Sequence, residues 1–122
     1  MGTWGMGIFE SDDAGEFLDK IIEELVIKIR GHFTKSNHHS FMFYASHQII
    51  PAIDIIITLV THYESSPIVD VAEAKNWKEE YLKIFDEQMP IQSTEEDFAE
   101  RRQIVVEVFD KLIKLGEEWD AL

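Results

Sequence analysis

Cysteine is absent from the chain, which removes a disulfide framework, a thiol nucleophile, an iron–sulfur cluster and every zinc site built on thiolates. Positive charge is scarce. Eleven Lys and Arg stand against 24 Asp and Glu, for a net charge of −13, and a chain of that sign is repelled by nucleic-acid phosphates and anionic lipid headgroups. Neither a nucleic acid nor a membrane surface is expected as a partner. Long apolar runs are missing too: Phe41 to Tyr63 is mostly apolar, but Ser46-His47-Gln48, Pro51 and Asp54 cut it to well under the ~20 residues that a membrane span needs. The opening residues have neither the basic nor the apolar stretch of a secretory signal, and Met6 stands where myristoylation needs Ser or Thr. A cytoplasmic, unlipidated protein is the expectation.

What is present fits one domain, residues 1–122, with 45% hydrophobic residues to build its core. Four glycines fall in the first fifteen positions around Trp4, Ile8 and Phe9, an irregular lead-in. Ser11-Asp12-Asp13 then offers helix caps, with Asp13 and Glu16 spaced as in a capping box. Ala14, Phe17, Leu18, Ile21, Ile22, Leu25 and Ile29 recur at three and four, which predicts a helix from Asp13 to Arg30, closed by Gly31. A polar loop over 34–40 leads to a second helix within Phe41–Tyr63, apolar around most of its circumference and hence central, with Pro51 kinking it or opening its second half. Its His47, Asp54 and His62 share one face, which suggests a buried His–Asp hydrogen bond. Val71, Ala74, Trp77, Tyr81, Ile84 and Phe85 predict a third helix over Val69–Gln88, ended by Met89-Pro90. Ser93-Thr94-Glu95-Glu96 reads as a capping box opening a fourth, with Phe98, Val105, Val108, Leu112 and Leu115 inward and Gly116 closing it. The predicted fold is all-α: a compact antiparallel bundle of about four helices behind a Gly/Trp-rich lead-in.

Tests for chemistry return little. His32, His38 and His39 lie near one loop, yet no helical His-x-x-x-His pair specifies a metal site, and no acid stands three residues before any histidine as di-iron bundles require. Asp97-x-x-Glu100 and Glu107-x-x-Asp110 imitate the paired carboxylates that hold magnesium, but both pairs lie on one helix and cannot converge on one ion. P-loop, nucleophile-elbow and His-Glu-x-x-His patterns are absent. No catalytic residue, metal ligand or cofactor is assigned.

The run from Met1 to Leu18 carries Gly2, Trp4, Gly5, Gly7, Phe9, Asp12, Asp13, Ala14, Glu16 and Phe17 in a pattern that resembles the start of a small bacterial family, domain of unknown function 4259. Ser11 stands where that pattern commonly has Asn, and Gly15 where it has a larger apolar residue. The resemblance implies an all-helical fold of about this length and brings no activity or functional residue with it. Physically, the glycines permit close backbone approach while Trp4 and Phe9 serve as pegs in the bundle. Asp12 and Asp13 are read as caps rather than cation ligands.

Charge is uneven along the chain, with 15 acids and 7 bases in residues 67–122. Small size, helicity and acidity together favour a non-enzymatic protein-binding module of the immunity or antitoxin kind, made to cap a basic effector such as a nuclease toxin. Its expected contact face is Glu95, Glu96, Asp97 and Glu100. The alternative is a self-associating structural module using Trp119 and the apolar second helix, a homo-oligomer. A metal-dependent helical hydrolase ranks last.

Overall fold

The computed structural model of the protein describes residues 12–35, 45–92 and 94–122. Four helices fill them: α1 (Asp12–Lys35), α2 (Ser46–Tyr63), α3 (Val71–Gln92) and α4 (Glu95–Asp120). No strand occurs among the described residues. The all-α expectation holds. Gly2, Trp4, Gly5, Gly7 and Phe9 lie outside the described residues, as do His38 and His39.

Helix ends are set partly by local signals and partly by what the chain packs against. Asp70 caps α3 through its Oδ1, which accepts the Glu73 N–H at 2.7 Å, and Thr94 caps α4 by accepting the Asp97 N–H at 3.2 Å. The α4 cap is thus one residue later than the expected Ser93 box. Asp12 and Asp13 both lie within α1. Pro90 does not stop α3, which continues through it to Gln92.

Two glycines expected to end helices do not. Gly31 has no positive φ, and α1 runs on because the residues after it find tertiary partners. His32 donates to Gln48 Oε1 at 2.8 Å, and the Phe33 ring stacks on Trp77 with centroids 6.1 Å apart. Gly116 is buried inside α4 for a different reason. A Cβ there would come within 3.0 Å of Val71 Cγ2, so hydrogen is what lets the last turns of α4 approach the start of α3.

The register of α3 and α4 is legible in their contacts. Val71 meets Gly116, Lys78 binds Asp110 at 2.6 Å, and Asp86 accepts both Nε and Nη2 of Arg102 at 2.9 and 3.1 Å. Position rises along α3 as it falls along α4, so the pair is antiparallel. Beyond it, α2 packs on α4, and α1 packs on α2. A further clip joins the end of α1 to the start of α3, where Arg30 donates twice to the Glu73 carboxylate at 2.7 Å. These are exposed pairs, which fix geometry more than they stabilise.

Among the described residues the core is built of hydrophobic side chains. Leu18, Ile22, Val26 and Ile29 of α1, Ile49, Ile53, Ile56 and Val60 of α2, Trp77, Tyr81 and Phe85 of α3, and Val105, Phe109 and Leu112 of α4 are buried together, and no charged residue among the described ones is buried with them. Phe109, fully buried, was missed by the sequence stripe. Two expected inward residues of α1 face out instead: Phe17 is 52% and Ile21 36% exposed. The buried strip of α1 is narrower than its apolar pattern.

Candidate functional site

The α2 helix is central in its neighbours but not apolar all round, and this decides what its polar residues do. His47, Asp54 and His62 are all exposed, so the expected buried His–Asp pair does not form. The stripe Ile49, Ile53, Ile56 and Val60 takes the inner face and turns them outward. His62 meets the Tyr63 ring edge-on at 4.6 Å. Pro51 sits inside α2 without ending it; lacking an N–H, it leaves the His47 carbonyl without the donor it would take four residues on.

Pro51 lies on the rim of a cleft of about 530 Å³ walled by three helices. From the start of α2 come Ser46, His47 and Ile50. Tyr81, Phe85 and Met89 of α3 follow at one-turn intervals, and Arg101, Ile104 and Val105 close the third side from α4. Such a volume lies in the range of small-molecule sites, as does the mixture of an apolar floor with a few polar groups. Among the described lining residues there is no carboxylate. Arg101 supplies the formal charge.

Tyr81 defines the inner polar edge. Its ring packs 5.5 Å from Phe109 and 6.4 Å from Phe85, and its hydroxyl is hydrogen-bonded to the Ser46 side chain. Burial pushes the phenol up from 10.0 to about 12, against the opposing pull of the Ser46 hydrogen bond and the Arg101 charge. At neutral pH it is an uncharged hydroxyl. The neighbouring Arg102 has a different fate: its two hydrogen bonds to Asp86 raise its pKa and commit it to the α3–α4 clip. Arg101 forms no ion pair with a described residue.

The expected acidic face is also in view. Glu95, Glu96, Asp97 and Glu100 are exposed on the first two turns of α4, and none is in an ion pair with a described residue. The other carboxylate set on this helix is spoken for, since Asp110 holds Lys78 and Glu107 accepts from Gln103 at 3.1 Å. Among the described residues no three His, Asp or Glu side chains gather as a metal site would require. No helix among them is long and apolar enough to cross a membrane.

The family model described as Domain of unknown function (DUF4259) matches residues 2–122. No curated protein and no solved structure matches the chain.

Proposed function

We propose that this chain, which belongs to the DUF4259 family, is an acidic protein-binding module of the immunity or antitoxin kind, which docks on a basic effector and caps it. Four exposed carboxylates on one rigid helix start, Glu95, Glu96, Asp97 and Glu100, each without an ion-pair partner among the described residues, support this reading. Three of the chain's eleven Lys and Arg, Arg30, Lys78 and Arg102, each clip two helices together instead. An uncompensated acidic patch on a chain of net charge −13 attracts a basic surface at long range and orients it on approach.

The test is a pull-down with the tagged protein at low and at high salt, repeated with Glu95, Glu96, Asp97 and Glu100 all changed to Lys. A stoichiometric basic partner should be captured, should leave in salt, and should be lost by the reversed variant while its helical circular dichroism persists. Capture that ignores the four reversals would remove this face from the function. The second reading, self-association, rests on Ile55 and Trp119, which are 47% and 41% exposed; an empty bait with a mass that grows with concentration would favour it.

A further inference from the structure

The cleft between α2, α3 and α4 plays no part in an acidic docking face, yet its composition runs against that of the whole chain. In a protein with more than twice as many acids as bases, the described residues around this hollow include no Asp or Glu, one arginine and one histidine. This arginine is in none of the ion pairs among the described residues. Arg102 is taken by Asp86, whereas Arg101, one position earlier and so about 100° round the helix, reaches the cleft with no ion pair to a described residue.

We propose that this cleft binds a small organic monocarboxylate with an apolar body, the carboxylate on Arg101 and the body against Phe85, Ile50 and Ile104. A guanidinium offers paired donors that match the two carboxylate oxygens; the His47 ring lines the same cleft, and the Tyr81 hydroxyl, bonded to Ser46, marks its inner edge. The floor sets the other half of the ligand. Phe85 is 2% exposed and gives the cleft a closed aromatic base, while Ile104, 50% exposed, has apolar surface to cover at the mouth. Multiply charged anions such as nucleotides are disfavoured, because one arginine cannot offset the repulsion of the surrounding negative field. A single carboxylate in direct contact with Arg101 escapes most of it.

The probes are 4-phenylbutanoate and its neutral amide, titrated into the ¹⁵N-labelled full chain and followed by amide chemical shifts. The acid should move amides in residues 46–50, 81–89 and 101–105 and bind about tenfold more tightly than the neutral amide. Arg101→Gln should abolish that preference, weakening the acid about tenfold and leaving the amide unchanged, while Lys111→Gln on the same helix should alter neither. Equal affinity of acid and amide, shifts centred elsewhere, no shifts at millimolar probe, or equal losses in the two variants would each overturn the proposal. Added salt separates it from the docking face: it should weaken a basic partner strongly and the carboxylate little, because a contact pair is screened less than a long-range field.

Discussion

Alkaline pH should destabilise the protein through Tyr81, and the size of the effect follows from its burial. The phenol is 3% exposed and is pushed from 10.0 to about 12, so between those values the unfolded chain has released a proton that the folded chain retains. Fewer protons bound in the unfolded state means that stability falls as pH rises. Below pH 10.0 both states carry the proton and the residue contributes no slope. Each unit of difference corresponds to about 1.4 kcal/mol, so the loss is about 1.4 kcal/mol near pH 11 and approaches about 2.7 kcal/mol above pH 12. The measurement is a comparison that isolates this one side chain: urea unfolding of the parent and of Tyr81→Phe at pH about 9 and about 11. The variant lacks the hydroxyl bonded to Ser46 and should be less stable by about 1 kcal/mol at the lower pH. At the higher pH the gap should close. Parallel pH dependence in the two proteins, or a residue-81 tyrosinate absorbance rising near pH 10, would refute the placement of this ring in the core.

Two packing predictions follow from the α3–α4 pair. Phe109→Ala removes a fully buried ring that touches Tyr81 and should cost about 3–5 kcal/mol in urea unfolding, with a loss under about 1 kcal/mol showing that the ring is not a core element. Gly116→Leu should cost about 1–3 kcal/mol by driving a side chain into Val71, and Val71→Ala in the same chain should recover part of it; full additivity of the two changes would show that they do not meet.

The amphipathic stripes of α1, α3 and α4 were legible in the sequence because each repeats at three and four over several turns, and the fold class follows from them. Helix ends were less so. Gly31 and Gly116 carry the usual stop signal, but the signal is weak beside a ring stack such as Phe33 on Trp77 or a close helix approach such as Gly116 on Val71. Phe109 was hidden by a stripe counted through Val108; the spacing Val105, Phe109, Leu112, Gly116 gives it back. The acidic start of α4 could be read directly, since a capped first turn faces water wherever the helix packs. The cleft could not. Its walls come from three separated segments, and nothing local distinguishes the two adjacent arginines, of which Asp86 claims one and leaves the other at the rim.

The packing of α2 against α4 has a consequence for how the protein is made. On a ribosome the Ile49, Ile53, Ile56 and Val60 stripe emerges before α4 has been synthesised, so for the time needed to make all of α3 and most of α4 it has only α1 to lean on. At synthesis rates of about 5–20 residues per second that interval lasts seconds, far longer than helix formation itself. Until α4 has been made, the nascent chain therefore carries an apolar ridge that the α2–α4 contact covers in the finished fold.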